Sequence, residues 1–391
     1  MVNEIAYGYG SQRSAIRELF EYGKAQRAVV GAEGVYDFSL GNPSVPAPIA
    51  VQEAFRTIVN EADPVLLHGY TSAQGSLETR TAIANVMTVR SGMQIRPNDL
   101  YLTCGAAASL TACFGALTVD ENSEFLAIAP YFPEYKVFAT AAGGRFSVVP
   151  ADEDSFGISF DALTEMLNEH TQGVILNSPN NPSGVIYSEE TLRTLARILC
   201  AKSAEYGHPI YLISDEPYRE LCYTDARPAF LPSIYRDTLI CYSYSKSFSL
   251  PGERIGYVCV PSCVTDADTV YAAVAGAARR YGYVCAPSLL QEVVARCADV
   301  LPDLTVYRRN RDLLYNSLTE MGYDCVRPDG AFYLLVRAPE NDGAAFSERA
   351  KAKNVLVVPG GGFGAPHHVR IAYCVETDMI ERSLNVFRAL R

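Results

Sequence analysis

A lysine surrounded by serines is the part of this sequence whose residue types most directly suggest chemistry. Lys246 lies in the segment Ser243 to Ser247, after the apolar run Leu239 to Tyr242, and Arg254 follows eight residues later. An unpaired buried ammonium is costly, but an amine kept neutral can condense with a carbonyl group. Serine hydroxyls and an arginine are donors that would surround a phosphate. The segment therefore indicates a lysine bonded to pyridoxal phosphate; an exposed lysine in a surface loop is the ordinary alternative.

Small or polar residues also follow other predicted strands, at the point where each strand ends. Gly105 to Ala107 follows one apolar run and begins an alanine-rich helix. The turn Asn177 to Gly184 follows another run, and Asp215 closes a third, with Tyr218 three residues later. In open α/β sheets, ligands bind outside the carboxyl ends of the strands, and a helix start favours an anion. Each feature alone is equally typical of a helix start, a rigid turn or a helix cap.

Together, these residue types match the needs of one cofactor. Pyridoxal phosphate requires an anion at its ring nitrogen, donors at its ring hydroxyl, an amine that forms the imine, and a phosphate site. Asp215, Asn181, Tyr218 and Lys246 offer the first three of these requirements. A chance alignment of all of them is much less probable than any single structural explanation. The sequence therefore predicts a pyridoxal phosphate site.

The elements that must position these residues alternate between strand and helix from about residue 45 to residue 290. Near-continuous apolar strands separated by helices predict a mainly parallel sheet, here of seven strands, that helices cover on both faces. We expect an α/β fold with a large cofactor-binding domain at 45–288 and a C-terminal domain at 289–391. The N-terminal segment, 1–44, is expected to join the C-terminal segment in a smaller α+β domain.

Composition excludes several other classes. The chain has 391 residues, 49% of them hydrophobic and 20% charged, which is typical of a globular protein. Its net charge of −11 argues against nucleic acid or a membrane surface as partner. Its eleven cysteines form no Cys-x-x-Cys pair, so we expect reduced thiols and no metal site. With neither a signal pattern nor a membrane-length apolar stretch, the expected location is cytoplasmic.

At this point the chain resembles the class I and II aminotransferases, the fold type I group of pyridoxal-phosphate enzymes in the aspartate aminotransferase superfamily. The resemblance runs from Gly41 to Arg370 and depends on three motifs. These are the Asn-Asn-Pro-Ser-Gly turn, Asp-x-x-Tyr, and Ser-x-x-Lys followed by Gly-x-Arg. The resemblance implies that Lys246 forms the Schiff base and that Asp215 contacts the pyridine nitrogen. Asn181 and Tyr218 would hydrogen-bond the ring hydroxyl, and Lys246, Asp215 and Tyr218 would be the catalytic residues.

The resemblance also assigns the remaining site residues. Phe132 would stack on the ring, Tyr70 would reach the phosphate of the neighbouring subunit in a homodimer, and Arg370 would take the substrate carboxylate. The residues implied at the phosphate are Gly105, Ala106, Ala107, Ser243, Ser245 and Arg254. The residues implied beside the substrate carboxylate are Gly41 and Asn181.

The implied activity is a ping-pong transamination between an L-amino acid and a 2-oxo acid, with the aspartate/2-oxoglutarate pair as one candidate. A carbon–sulfur β-lyase on the same scaffold is the main alternative, because the cofactor does the chemistry in both. A non-catalytic regulatory domain is a third interpretation, which the acidic composition disfavours. Arg279 and Arg280 could bind a substrate's second carboxylate or could equally stabilise the end of their own helix.

Overall fold

The computed structural model describes residues 1–11, 14–152 and 155–391. The α-helices are α1 Glu4–Ser11, α2 Ala15–Val30, α3 Ile49–Glu61, α4 Pro64–Leu67, α5 Leu77–Ser91, α6 Ala106–Leu117, α7 Glu134–Ala141, α8 Phe160–Met166, α9 Glu189–Tyr206, α10 Tyr244–Ser247, α11 Ala267–Arg280, α12 Ser288–Cys297, α13 Thr305–Glu320, α14 Gly343–Lys351 and α15 Thr377–Leu390. Short 3₁₀ helices cover Ala32–Gly34, Pro97–Asp99, Leu231–Ser233 and Gly360–Phe363. The strands are β1 Tyr36–Asp37, β2 Leu100–Thr103, β3 Glu124–Ile128, β4 Arg145–Val149, β5 Thr171–Asn177, β6 Tyr211–Asp215, β7 Thr238–Ser243, β8 Gly256–Cys259, β9 Cys325–Val326, β10 Tyr333–Arg337, β11 Val355–Leu356, β12 Val358–Pro359 and β13 His368–Ala372.

In the described part of the chain, the largest sheet has seven strands in the order β2-β8-β7-β6-β5-β3-β4. Strand β8 runs antiparallel to its neighbours β2 and β7, and the other pairs are parallel. Alternate residues of β3 pack on opposite faces: Phe125 joins the core against α6, and Leu126 joins the core against α9. The predicted α/β class, with a mainly parallel seven-stranded sheet covered by helices, is confirmed.

A smaller antiparallel sheet, β12-β13-β10-β9, forms a second layer with α13, α14 and α15. The N-terminal segment joins this region through β1, which pairs in parallel with β11. The backbone N–H of Phe38 also donates to the carbonyl of Leu356, and that of Ala372 donates to the carbonyl of Phe38. The predicted smaller domain is therefore present, and its exact boundaries at 44/45 and 288/289 stay a prediction.

Register brings the strand ends of the large sheet to one edge. Asn177 pairs with Asp215 across β5 and β6, while Ser243 and Thr103 both pair with Gly256 of β8. Because successive parallel strands end at the same edge, the polar residues that follow them share one crevice. Among residues 1–11, 14–152 and 155–391, we find no helix whose length and hydropathy would let it span a bilayer.

Candidate active site

A cleft of about 270 Å³ lies at this edge, between the large sheet and the smaller one. Its lining residues are Ile16, Gly41, Ala106, Ala107, Leu110, Phe132, Asn177, Asn181, Asp215, Pro217, Tyr218, Ser243, Ser245, Lys246, Pro251, Arg254, Tyr333 and Arg370. Twelve of the fourteen site residues predicted from the sequence are in this set; Gly105 and Tyr70 are the two outside it. We call the part built around Arg254 the Arg254 end, and the part built around Arg370 the Arg370 end.

Lys246 lies between these two ends, on the short helix α10. Ser243 caps α10, because its Oγ accepts a hydrogen bond from the Ser245 backbone N–H at 3.2 Å. The Lys246 Nζ is half-buried and donates to the carbonyl of Gly41 at 2.7 Å. The lysine therefore faces the cleft, with a protein carbonyl as its hydrogen-bond partner.

The surroundings of Lys246 favour the neutral amine. Burial lowers its pKa to about 8; the Cys374 thiol opposes this effect, and the guanidinium groups of Arg254 and Arg370 add to it. An amine that is partly neutral near physiological pH can act as a nucleophile and as a proton acceptor. Lys246 is therefore suited to both tasks.

The Arg254 end combines donors from several strand ends with an unusual backbone. Arg254 itself has a positive φ of 57°, and its Nη1 donates to Ser245 Oγ at 3.1 Å and to the Pro251 carbonyl at 2.9 Å. Gly105 has a φ of 87°, and a Cβ there would lie 2.6 Å from Arg254 Nη2. Gly105 therefore allows the guanidinium to lie directly against the start of α6. Although Gly105 does not line the cleft, it shapes this end.

Asp215 lies at the end of β6 with its carboxylate buried in the cleft wall. Its Oδ2 accepts a hydrogen bond from the Tyr135 phenol at 2.6 Å, and its Oδ1 has no hydrogen-bond partner among the described residues. The pKa of Asp215 is raised to about 7, mainly by burial and further by Glu216, whereas the Tyr135 hydrogen bond acts to lower it. A buried carboxylate with one unsatisfied oxygen is costly unless a cationic donor completes it.

The Arg370 end holds a guanidinium between aromatic rings. The Arg370 Cζ lies 4.4 Å from the ring centroid of Tyr333 and 4.9 Å from that of Phe363. Its Nη1 donates to Asn181 Oδ1 at 3.1 Å, and its Nη2 donates to the Ser39 carbonyl at 2.7 Å. The buried Arg370 Nε has no partner among the described residues. This cation is fixed in place and retains a free donor, which suits an incoming carboxylate.

Two tyrosines complete this wall of the cleft. The hydroxyls of Tyr218 and Tyr333 are hydrogen-bonded at 3.0 Å. Burial raises the pKa of both phenols, so both stay protonated as donors at neutral pH. Tyr333 also explains Gly41, because a Cβ at that position would lie 1.8 Å from the Tyr333 hydroxyl oxygen.

Some residues in the cleft or directly behind its wall escaped prediction, and some predicted residues lie elsewhere. Tyr135, which holds Asp215, and Tyr333 are separated from their partners by 80 and 115 residues, so no local pattern points to them. Asn177 had a signal, since it begins the predicted turn, and its Nδ2 donates to the Asp215 carbonyl at 2.8 Å. Tyr70 is 97% exposed in this chain, away from the cleft.

The arginine pair considered for a second carboxylate also lies outside the cleft. Arg279 and Arg280 are exposed at the C-terminal end of α11, and Arg280 lies 5.8 Å from the Tyr281 ring. Within this single chain they contribute nothing to the described lining of the cleft. Their position at a helix end fits the structural alternative, in which cations stabilise the helix C-terminus.

The residues present fit pyridoxal phosphate. The unpartnered Asp215 Oδ1 needs a cationic donor, and a protonated pyridine nitrogen is one. The absence of a Cβ at Gly105 lets the Arg254 guanidinium lie against the start of α6, where free backbone N–H groups also favour an anion. Lys246, with its lowered pKa, faces the same cleft. The carboxylate for the ring nitrogen, the donors for the phosphate and the amine for the imine therefore occur in one cleft.

Comparisons with known proteins agree on one family of folds and sequences. The family model for aminotransferase class I and II matches residues 33–387. The aspartate/prephenate aminotransferase of Thermus thermophilus is 32% identical over 358 residues, covering 89% of this chain and 88% of that protein. The crystal structure of an amino transferase from Eubacterium rectale has a TM-score of 0.98 at 56% identity, over 100% of this chain and 98% of that one. Thermus thermophilus aspartate aminotransferase with maleate gives a TM-score of 0.86 at 26% identity, over 100% of both chains.

Proposed function

The chain belongs to the class I and II aminotransferase family, and from this premise we propose how its cleft carries out transamination. The enzyme class predicted from the sequence, a pyridoxal-phosphate-dependent aminotransferase, is confirmed by the family match and the named relatives. Nothing in these comparisons favours the carbon–sulfur β-lyase alternative. The observation that carries the proposal for this particular cleft is that Lys246 and Asp215, which has an unpartnered carboxylate oxygen, line the same cleft.

Lys246 is proposed to hold the cofactor covalently and to carry the substrate proton. Pyridoxal phosphate, when bound, supplies an electron sink that stabilises the negative charge left at the substrate Cα. With the cofactor in place, the Lys246 Nζ would be freed by the incoming amino group and would accept and carry the proton of the substrate Cα. Burial and the two arginines keep this amine partly neutral, which is the state that accepts a proton.

Other residues of the cleft are proposed to hold the cofactor in place. The Asp215 carboxylate would keep the ring nitrogen protonated, and the Asn181 amide and Tyr218 phenol would donate to the ring hydroxyl. Phe132 would pack on the ring. The groups proposed at the phosphate are Gly105, Ala106, Ala107, Ser243, Ser245 and Arg254. Support comes from their shared position at the Arg254 end and from the donors already aimed there.

Arg370 is proposed to bind the α-carboxylate of the substrate, with Asn181 and Gly41 beside it. Its Nε donor is unpartnered among the described residues, and Tyr333 and Phe363 fix its plane. We propose an aspartate/2-oxoglutarate type of substrate pair. Named relatives support this choice, as does the Thermus thermophilus structure, which holds the dicarboxylate maleate.

A homodimer with shared active sites is proposed as well. Tyr70 is 97% exposed in the single chain, so it is available to complete the phosphate site of a neighbouring subunit.

A cytoplasmic location is proposed because the eleven cysteines are free thiols. We also propose that the large domain spans 45–288 and that residues 1–44 and 289–391 form the smaller one.

The first test is the variant Lys246→Ala. Without the amine, the enzyme loses the covalent cofactor bond and the proton carrier, so we expect turnover to fall by roughly 10⁴-fold or more. The absorbance band of the lysine-bound cofactor should also disappear. Lys351→Ala is the control, because Lys351 is paired with Glu348 on the surface at 3.2 Å. Full transaminase activity in Lys246→Ala would refute the mechanism.

A second experiment identifies the substrates. The wild-type enzyme is mixed with each common L-amino acid without an acceptor, and loss of the cofactor band is followed. Aspartate and glutamate are expected to react fastest. Release of pyruvate and a thiol from cystathionine, with no requirement for an oxo acid, would instead support the β-lyase.

A further inference from the structure

A buried phenol holds the carboxylate that faces the cofactor nitrogen. Tyr135, the second residue of α7, is 1% exposed, and its hydroxyl donates to Asp215 Oδ2 at 2.6 Å. Asp215 is itself 5% exposed, and its Oδ1 is the oxygen without a hydrogen-bond partner among the described residues. The two carboxylate oxygens are therefore not equivalent: one is held by the protein, and the other is buried without a hydrogen-bond partner among the described residues.

We propose that Tyr135 is a positioning residue for transamination: its phenol fixes Asp215 Oδ2, so that Oδ1 is the oxygen presented to the protonated ring nitrogen of pyridoxal phosphate. The inference rests on the proposed function, since it assumes that the cofactor binds in this cleft. A free aspartate side chain rotates between broad, two-fold orientations about its terminal bond. A short hydrogen bond to one oxygen removes that freedom, and the other oxygen is then oriented before the cofactor arrives.

The groups around Asp215 make this hydrogen bond electrostatically important. Tyr135 faces Asp215 from α7, the Cys241 thiol from β7, and Glu216 and Tyr218 from the segment that follows β6. Burial raises the pKa of Asp215 most strongly and Glu216 raises it further, whereas the Tyr135 hydrogen bond lowers it. The phenol therefore favours the ionised carboxylate, and hence a proton that stays on the ring nitrogen.

Tyr135 also contacts Phe132, a second residue of the proposed cofactor site. The ring of Phe132 meets the ring of Tyr135 edge to face, with centroids 5.6 Å apart and planes at 81°. Phe132 lines the cleft and is the residue proposed to pack on the cofactor ring. Tyr135 therefore contacts both Phe132, which is proposed to pack on the cofactor ring, and Asp215, which is proposed to bind the ring nitrogen.

The test is Tyr135→Phe, studied as the holoenzyme loaded with pyridoxal phosphate that carries a nitrogen-15 label in its ring. At neutral pH we expect the label's resonance to move toward the position of an unprotonated ring nitrogen, because the proton shifts toward Asp215. We expect kcat to fall about tenfold with KM within about twofold, the size of effect that loss of one hydrogen bond to a charged group produces. A purely structural residue would not move the nitrogen resonance.

Tyr187→Phe is the matched control, since Tyr187 is 5% exposed in the core on the opposite face of the large sheet. It loses the same atom and should leave the nitrogen resonance unchanged. If Tyr135→Phe binds the cofactor with an unmoved resonance and normal kcat, the inference is wrong while the proposed function stands. If wild-type protein binds no pyridoxal phosphate, the proposed function itself fails.

A second variant covers the case in which Tyr135→Phe does not fold. Replacing Tyr135 by 3-fluorotyrosine keeps the shape and the donor, and the fluorine reports on the phenol. Its resonance is expected to move when the cofactor is loaded, because Oδ1 then gains a partner while Oδ2 keeps the phenol. An unmoved fluorine resonance would overturn the inference.

Discussion

The Arg254 end and the Arg370 end of the cleft each place a guanidinium in the cleft, but they are built differently. Arg254 is half-buried and takes its partners, Ser245 and Pro251, from within nine residues of the chain. Arg370 is 2% exposed and takes its partners, Asn181 and Ser39, from 189 and 331 residues away. The first end is therefore a local structure of one sheet edge, while the second requires three distant segments to meet.

This difference determines what each end can do. The Arg254 end lies at the edge of one sheet, so its donors keep their places whenever that sheet is folded. The Arg370 end contacts both sheets, so its geometry depends on how the smaller domain packs on the larger one. A permanent ligand suits the first arrangement, and a substrate that enters and leaves suits the second. We expect substitutions at the two ends to separate cofactor affinity from substrate turnover.

The largest effect is expected at the Arg370 end. Arg370→Leu removes the proposed partner of the substrate carboxylate, so kcat/KM should fall by roughly 10³-fold for every amino acid and oxo acid. The dissociation constant of pyridoxal phosphate, measured by absorbance titration, should stay within about threefold, because the other end is intact. Arg337→Leu is the control, since Arg337 pairs with Asp324 at 3.2 Å outside the cleft. Weakened cofactor binding with normal kcat/KM would reverse the proposed assignment of the two ends.

The next largest effect is expected at the Arg254 end, and it concerns the affinity for pyridoxal phosphate. Arg254→Met removes a charged donor but keeps an unbranched side chain, so the dissociation constant of pyridoxal phosphate should rise by about 10- to 100-fold. With the cofactor saturating, the KM of the amino acid should change by less than about threefold. Arg236→Met, at an exposed arginine that donates to the Cys263 carbonyl, provides the comparison. A raised KM with unchanged cofactor affinity would contradict the division between the ends.

The two ends also differ in how much of them the sequence predicts. Arg254, Ser243, Ser245 and Lys246 lie within twelve residues, so the sequence predicts a phosphate site there once the residues at the other strand ends are considered with them. Gly105 was predicted for the same end, and the structure adds the reason, its close approach to Arg254. The mainly parallel sheet was equally predictable, because apolar runs alternate with helices along the chain.

The Arg370 end was predictable only through family resemblance. Nothing near Arg370 in the chain points to Tyr333, Phe363 or Ser39, since the rings that hold its guanidinium depend on strand register and helix packing. Tyr135 is a similar case, because it meets Asp215 only after α7 packs on the sheet. Sequence patterns show which residues can do chemistry at one strand end. Contacts between distant segments follow from tertiary packing, which such patterns do not encode.

A smaller effect should follow from Gly105→Ala at the Arg254 end. Gly105 has a φ of 87°, and the new Cβ would lie 2.6 Å from Arg254 Nη2, so the guanidinium must move. We expect the dissociation constant of pyridoxal phosphate to rise by about tenfold and the free energy of unfolding to fall by about 1–3 kcal/mol.

Gly92→Ala is a matched control for this substitution. Gly92 has a φ of 70°, but a Cβ at that position would meet no neighbouring atom of the described residues within 4 Å. The substitution should lower the free energy of unfolding, measured by urea denaturation, while cofactor affinity stays constant. Equal losses of cofactor affinity in the two variants would show that backbone strain, and not the approach to Arg254, is responsible.

The smallest effect concerns the pKa of Lys246, which the guanidinium groups of both ends influence. Its pKa is lowered to about 8, mainly by burial and further by the Arg254 and Arg370 guanidiniums, against an opposing effect of Cys374. Only the unprotonated amine condenses with an aldehyde, so the rate at which apoenzyme takes up pyridoxal phosphate should rise with pH through about 8. Either Arg254→Met or Arg370→Leu should raise this midpoint, by roughly half a pH unit, because one nearby positive charge is removed. Stopped-flow absorbance across the pH range measures it. A shift confined to Arg370→Leu would mean that the amine senses only the substrate end, whereas shifts in both variants would show that Lys246 is tuned by the two ends together.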